Sequence, residues 1–201
     1  MKRSTLALAI ASLPLLAGCG ADPSGPGSVT PGTAAASPSR SETSPGGTFN
    51  ATDVMFVQMM IAHHRQGLEI VRLARTRPAG AEVRTLAAAI EVTETDEAAT
   101  MTGWLRGWGE PMTADAHAHD AHGGLHGTSA ADIASLTKTT DARFERDFLH
   151  LMIAHQHAAI EFARIETGAG VNPHATDLAR RIDRSRSAQI TQMLALVDTR
   201  P

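Results

Sequence analysis

The stretch FVQMMIAHHRQGLEI at 56–70 decides the fold, because it returns as FLHLMIAHQHAAIEF at 148–162. The two stretches are offset by 92 residues. The same offset links further pairs of apolar residues in the two halves: Leu86 with Leu178, Ile90 with Ile182, and Met101 with Met193. An offset that persists without a gap indicates an internal duplication. The sequence therefore predicts two equivalent units.

Each unit has the pattern of a helical hairpin. Apolar residues recur at steps of three and four, which is typical of a helix with one buried face. Breaks fall in the middle of both units, at Pro78 and Gly80 and again at Gly168 and Gly170. Two such hairpins predict an all-α four-helix bundle over 50–198, with repeats at about 53–108 and 141–198.

Local signals predict where the helices begin. Asp53 or Thr52 is expected to cap the first helix. Ser129 and Asp132 have the spacing of a capping box, which predicts a short helix that connects the hairpins. The dipeptide at 172–173, Asn-Pro, suits the cap and first position of the last helix.

The N-terminal segment predicts export and anchoring. Residues 1–18 read as a signal peptide, because Lys2 and Arg3 precede an apolar run too short to span a bilayer. Residues 16–19, Leu-Ala-Gly-Cys, resemble the lipobox of bacterial lipoproteins, which implies a lipid on Cys19. An ordinary signal peptide with an incidental cysteine is the alternative. The Gly-, Pro-, Ser- and Thr-rich segment 19–49 predicts a disordered tether.

Composition excludes several classes of protein. The net charge of −3 gives no basic stripe for nucleic acid, and one cysteine cannot form an internal disulfide. No glutamate has a histidine three residues later, as a ferritin-like di-iron enzyme requires. Motifs for metalloproteases, serine hydrolases and phosphate-binding loops are also missing. We therefore expect neither catalysis nor an organic cofactor.

Polar residues nevertheless fall on the predicted buried faces. Two sets are related by the repeat and are expected to face one interior at similar depths: Met60, His63, Glu97 and Met101, and Met152, His155, Gln189 and Met193. Buried polar groups require partners. Either His63 and Glu97 satisfy each other across the hairpin, or they share a metal ion.

Three sequence features together resemble the DUF305 family, a domain of unknown function in exported bacterial proteins. They are the MMIAHH and LMIAHQH segments, the Leu-Ala-x-x-Ile stretches and Trp-Leu-x-x-Trp-Gly. The resemblance covers about 50–198 and implies a ferritin-like bundle, with copper binding through Met and His in some members. The family usually has His-His in both repeats and a Glu before Met on each second helix. This chain instead has Gln156 and Gln189 in its second repeat.

The combined residues predict a metal site inside the bundle. Thioether plus imidazole suits copper(I), whereas imidazole plus carboxylate suits copper(II) or zinc. The candidate ligands come from both repeats, with the first favoured: Met60, His63, His64, Glu97, Met101, Met152, His155 and Met193. A structural polar network that fixes helix register is the alternative.

A second candidate site lies in the loop at 113–127, which is rich in histidine, aspartate and glycine. Short tracts of this kind commonly bind divalent metals, and this one would serve as a secondary site. Its candidate ligands are His117, His119, His122 and His126. A loop with incidental histidines is the alternative.

These features predict an extracytoplasmic protein, anchored to the cell membrane through Cys19, that binds copper or a similar transition metal such as zinc. Its role would be buffering, resistance or delivery. A metal-independent helical interaction module is the alternative from another class, and a redox enzyme is a third. No nucleic-acid partner is expected. The sequence leaves open whether the chain forms homo-oligomers or meets a metal-handling partner protein.

Overall fold

A computed structural model describes residues 47–113 and 128–198. Five helices and no strand occur in these two ranges: α1 Ala51–Thr76, α2 Ala81–Trp108, α3 Ala130–Lys138, α4 Asp141–Ala169 and α5 Pro173–Asp198. No helix within them is both long and apolar enough to cross a membrane. The signal peptide, Cys19, most of the tether and the four loop histidines lie outside the described residues.

The long helices form two hairpins, α1 with α2 and α4 with α5, and the hairpins meet along α1 and α4. The short helix α3 packs on α4 and α1. This arrangement confirms the all-α four-helix bundle built from two helical hairpins.

Most helix starts follow the predicted local chemistry. Ser129 and Asp132 form the expected capping box before α3, and the Asn172 side chain accepts hydrogen bonds from backbone N–H groups of α5. The predicted cap of α1 is wrong. Asn50 is the cap, and Asp53 is the third helical residue that completes a capping box with it. The sequence pattern missed Asn50 because the apolar periodicity begins only after it.

The core consists of two apolar clusters. One contains the C-terminal half of α1, the N-terminal halves of α2 and α4, and the end of α5. The other contains the N-terminal halves of α1 and α5 with the C-terminal halves of α2 and α4. Since the helices of each hairpin run in opposite directions, the clusters lie toward opposite ends of the bundle. The candidate site residues lie between and beside them.

The two hairpins are also joined by a pair of crossed contacts. Asp53 on α1 accepts a hydrogen bond from the backbone N–H of Asn172, at 2.9 Å, just before α5. Glu145 on α4 accepts one from the backbone N–H of Gly80, just before α2. The repeat offset of 92 relates Asp53 to Glu145 and Gly80 to Asn172. Each hairpin therefore caps the second helix of the other, and the two are related by approximate twofold symmetry.

A buried carboxyl group lies beside one of these contacts. Glu166 on α4 is fully buried and lies beside the Asp53 carboxylate. Burial, together with the neighbouring Asp53 carboxylate, raises the pKa of Glu166 to about 8. The folded chain therefore keeps Glu166 protonated at neutral pH.

We predict that Glu166→Gln makes stability less dependent on pH. The folded state retains the Glu166 proton up to a pKa of about 8, whereas the unfolded state releases it near 4.5, so stability falls as pH rises between these values. Glutamine keeps the neutral form. The loss of unfolding free energy between about pH 5 and pH 8 should shrink by at least about 1 kcal/mol, measured by urea titration. Glu161→Gln, an exposed change on the same helix, is the control, and equal slopes for both variants would contradict the assignment.

Candidate metal centre

A layer of polar side chains crosses the middle of the bundle between the two apolar clusters. We call it the polar layer, and each long helix contributes two residues to it: His63 and His64 from α1, Glu94 and Glu97 from α2, His155 and Gln156 from α4, and Arg186 and Gln189 from α5. Glu97 and Gln189 are partly exposed, and the other six are buried. Such a layer is costly to bury unless its members satisfy one another.

Two histidines stack at the centre of the layer. The His63 and His155 rings lie 3.7 Å apart between centroids at an interplanar angle of 15°. His63 Nε2 also donates a hydrogen bond to the backbone oxygen of His155, at 2.9 Å. These two residues are repeat equivalents, 92 positions apart. Because a residue touches its own equivalent only close to the symmetry axis, the approximate twofold axis passes through this pair.

The hydrogen bonds of His63 and His64 fix which ring nitrogen carries the proton. The backbone oxygen bonded to His63 and the Glu97 carboxylate bonded to His64 can only accept, so Nε2 is the donor in both rings. In the neutral form, Nδ1 then bears the lone pair. Both Nδ1 atoms are buried and have no hydrogen-bond partner among the described residues. Burial, together with the nearby His155, lowers the pKa of His63 well below its ordinary value, which keeps that ring neutral.

His155 has a similar environment. Its Nδ1 lies 2.9 Å from the Thr128 hydroxyl, and its Nε2 is buried with no hydrogen-bond partner in the described part of the chain. Burial and the neighbouring positive charges lower the pKa of His155 to about 3, so this ring is also neutral. If Nδ1 donates to Thr128, then Nε2 bears the lone pair. Neutral imidazole with one nitrogen fixed by a hydrogen bond is the form in which histidine binds metals.

Glu97 is already bound on two sides. Its Oε2 accepts hydrogen bonds from His64 Nε2 at 2.8 Å and from Arg186 Nη2 at 2.6 Å. Burial would raise the pKa of Glu97, but these two partners outweigh it and lower the pKa. The sequence interpretation offered His63 as the partner of Glu97. In the structure His64 makes that contact, because His63 turns toward the second hairpin.

Sequence reasoning missed the most deeply buried carboxyl group of the layer. Glu94 is fully buried, whereas the Glu97 side chain is 14% exposed. Burial raises the pKa of Glu94. Its Oε1 lies 3.4 Å from Gln156 Nε2, and its Oε2 has no hydrogen-bond partner within the two described ranges. The signal was available in the sequence, since Glu94 follows the core residue Ile90 by four positions.

The four candidate methionines flank the layer without being gathered in one place. All four are fully buried. Met60 and Met101 belong to the apolar cluster at one end, and Met152 and Met193 to the cluster at the other end. The expectation that all candidates lie at similar depths is therefore wrong. The repeat places equivalent residues on opposite sides of the twofold axis, so the methionines lie on both sides of the layer.

The sequence matches the family model described as "Domain of unknown function (DUF305)" over residues 53–197. This chain belongs to the DUF305 family. The DUF305 fragment from Deinococcus radiodurans has a similar structure, with 27% identity and a TM-score of 0.68 over 77% of this chain and all of that one. No curated protein matches the sequence.

Two further solved structures are similar to this DUF305 chain. The putative secreted DUF305 protein from Streptomyces coelicolor is 26% identical with a TM-score of 0.69, over 74% of this chain and 93% of that one. CopM in its Cu(I)-bound form is 26% identical with a TM-score of 0.63, over 75% of this chain and 98% of that one.

The buried side chains of this DUF305 domain carry types of donor atom that bind metals, but these atoms do not meet around one common position. Across 47–113 and 128–198, no three side chains of histidine, cysteine, aspartate or glutamate are grouped to hold an ion. The unpartnered atoms are instead spread through the layer: three imidazole nitrogens, one carboxyl oxygen of Glu94, the side-chain oxygen of Gln156 and Nε of Arg186. A bound ion would need thioether ligands, a ring rotation, or ligands from outside the described residues.

The Gly67 position gives a direct test of how closely the layer is packed. A Cβ atom there would overlap Glu94 Oε2 and lie 2.8 Å from His155 Nε2. We predict that Gly67→Ala destabilises the domain by about 1–3 kcal/mol, because two buried polar groups must move. Thermal unfolding and urea titration would measure this change.

Gly103→Ala on α2 is the matched control, since its Cβ would meet nothing within 4 Å. Alanine favours a helix over glycine by about 0.5–1 kcal/mol, so this variant should be neutral or more stable. A Gly67→Ala protein as stable as the Gly103→Ala protein would show that the space beside Glu94 and His155 is not closed.

Proposed function

We propose that this DUF305 protein is an exported lipoprotein that binds copper in the polar layer and serves in copper buffering, resistance or delivery at the cell envelope. His63, His64 and His155 would supply the imidazole ligands. Met60, Met101, Met152 and Met193 would supply thioethers, and Glu97 is a ligand only if it leaves its present partners. The proposal includes no catalytic step and no organic cofactor.

The observation that carries the proposal is the set of unpartnered imidazole nitrogens. His63 directs its Nδ1 lone pair into the protein interior with no donor for it among the described residues, and His64 Nδ1 and His155 Nε2 are likewise buried without a hydrogen-bond partner there. An unsatisfied buried acceptor costs about 1–3 kcal/mol, so structural histidines usually find a donor. A metal ion would satisfy these lone pairs. Neutral histidine is also the state that binding requires, and burial favours that state at His63 and His155.

The methionines favour copper(I) over harder ions. Met60 lies one helical turn before His63 and His64, and Met152 holds the same position before His155. Thioether and imidazole ligands together suit copper(I). The likeness to CopM, a protein solved in both a Cu(I)-bound and a Cu(II)-bound form, supports copper as the metal, and the choice of copper(I) rests on the methionines. Zinc is the principal competitor if carboxylates take part.

The envelope location rests on the sequence and on one relative. The similar DUF305 protein from Streptomyces coelicolor is described as a putative secreted protein. The lipobox-like sequence ending in Cys19 would attach this chain to the outer face of the cell membrane. The loop histidines at 117, 119, 122 and 126 would capture metal and pass it to the bundle. A partner protein that exchanges metal and a homo-oligomeric form are compatible with this role.

A metal-independent interaction module is the second candidate. The observation in its favour is that Glu97 already has two charge-assisted hydrogen bonds, from His64 and Arg186. In that case the layer would only fix the register of the four helices.

We predict that replacing the stacked histidine pair weakens copper(I) binding. His63→Gln/His155→Gln should lower copper(I) affinity at least about tenfold, since each change removes an imidazole ligand while keeping a polar side chain. All proteins would be the full chain with Cys19→Ser, so that the thiol cannot bind copper. Competition with a chromophoric copper(I) chelator would give the affinity.

Two controls separate the bundle from its surface and loop. His157→Gln changes an exposed histidine two positions from His155 and should not alter the affinity. Replacing the four loop histidines by alanine should leave the tightest site intact. If only the loop variant loses tight binding, the copper site lies in the loop and not in the bundle. If no variant, including the parent, binds copper(I) or zinc more tightly than about millimolar, metal binding fails and the interaction module stands.

We predict that Cys19 determines membrane attachment. If the lipobox is used, Cys19→Ser should move the protein from the membrane fraction to the soluble extracytoplasmic fraction, because a lipid chain no longer attaches it. Metabolic labelling with an alkyne fatty acid, followed by fractionation, measures both effects. A parent protein that takes up no fatty-acid label, or a Cys19→Ser protein that takes up as much as the parent, would refute the lipid anchor without affecting the metal site.

A further inference from the structure

The polar layer contains one permanent cation. Arg186 on α5 is completely buried, and its guanidinium reaches across to the first hairpin. Nη2 donates to Glu97 Oε2 at 2.6 Å and lies 3.7 Å from Glu94 Oε1, while Nη1 donates to Ser185 Oγ at 3.2 Å. Arg186 is thus the counter-charge of the carboxyl groups that a divalent metal would use.

The repeat makes the position of this cation informative. The offset of 92 relates Arg186 to Glu94, so one half of the domain has a carboxyl group where the other half has a guanidinium. The same offset relates His64 to Gln156 and Glu97 to Gln189. The second half has therefore lost an imidazole and a carboxylate, and its only charged side chain in the layer binds the carboxylate of the first half.

The contact between Arg186 and Glu97 changes which side chains remain available as ligands for a metal ion. A metal ion that binds Glu97 through Oε2 must displace both His64 and Arg186, and one that binds through Oε1 still lies on a carboxylate whose charge Arg186 neutralises. It must also sit close to a guanidinium that stays charged, and the Coulomb repulsion is twice as large for a divalent as for a monovalent ion. Imidazole and thioether groups carry no charge and are not bound by Arg186.

We propose that Arg186 determines the metal selectivity of the polar layer: it binds one oxygen of the Glu97 carboxylate and adds a positive charge beside it, so that the imidazole and thioether ligands select copper(I) against zinc. This inference rests on the proposed copper function and extends it. Arg186 is a positioning residue, because it acts on the metal through Glu97 and through its charge. Glu97, predicted from the sequence as a ligand, becomes instead the partner of Arg186.

The test measures copper(I) and zinc affinities of the full chain, with Cys19→Ser and the four loop histidines replaced in every protein. Arg186→Gln should raise zinc affinity at least about tenfold and copper(I) affinity less than about threefold, because the freed carboxylate is a hard ligand. Arg184→Gln, an exposed change on the same helix, should alter neither affinity. In Arg186→Gln/Glu97→Gln the gain in zinc affinity should disappear, since the freed ligand is gone.

Glu97→Gln alone keeps the test decisive if Arg186→Gln does not fold, as circular dichroism would show. With Glu97 already bound by Arg186, its removal should change copper(I) affinity less than about threefold. A loss of about tenfold would identify Glu97 as a copper ligand and overturn the inference. An unchanged ratio of zinc to copper(I) affinity in a folded Arg186→Gln protein would overturn it as well.

The proposed function and this inference fail in different ways. If the parent protein binds copper(I) tightly and loses it with His63→Gln/His155→Gln, the copper site stands whatever Arg186→Gln shows. If the parent binds neither ion, both fail together.

Discussion

The stacking of His63 on His155 is the contact on which the rest of the bundle depends. Since the two residues are repeat equivalents, their contact requires α1 and α4 to cross at the approximate twofold axis that relates the two repeats. Because α1 and α4 cross at this point, α2 and α5 lie on opposite sides of the crossing. The buried carboxyl groups belong to α2, and Arg186 belongs to α5. Two neutral rings can stack in this position, whereas two charged rings would repel each other in a medium of low dielectric. The burial that lowers both pKa values therefore also permits the contact.

The two halves have the same helix geometry around this axis but different polar side chains in the layer. The four methionines and the stacked histidines match across the repeat, but the other three pairs of layer residues do not. One half supplies carboxyl groups and two histidines. The other half supplies one histidine, two amides and a guanidinium. Buried ion pairs are stable only when both partners are present, so neither half could keep its layer residues after losing the other.

The sequence predicted the helices, the hairpins and the buried positions of His63, His64 and His155, because apolar periodicity and an internal repeat depend only on local order along the chain. It could not predict which histidine meets Glu97. His63 and His64 are adjacent on the buried face of α1, and their partners depend on how α4 approaches, which is a tertiary property. Glu94 was missed although its spacing from Ile90 places it on the same face of α2, because a small rotation of that helix decides whether position 93, 94 or 97 is the most buried. The methionines were placed on the correct faces, but their separation along the bundle follows from the twofold axis.

The crossed contacts of Asp53 with Asn172 and of Glu145 with Gly80 bear on how such a domain could arise. Each hairpin supplies one acceptor carboxylate and one donor helix start, so the contact is self-complementary. Two copies of a single hairpin, related by an exact twofold axis, would satisfy the same contacts and would stack the same histidine on itself. The architecture is that of a homodimer whose two subunits have been fused. After fusion, each half can change its polar residues independently of the other. In a symmetric dimer encoded by one sequence, every substitution appears in both subunits.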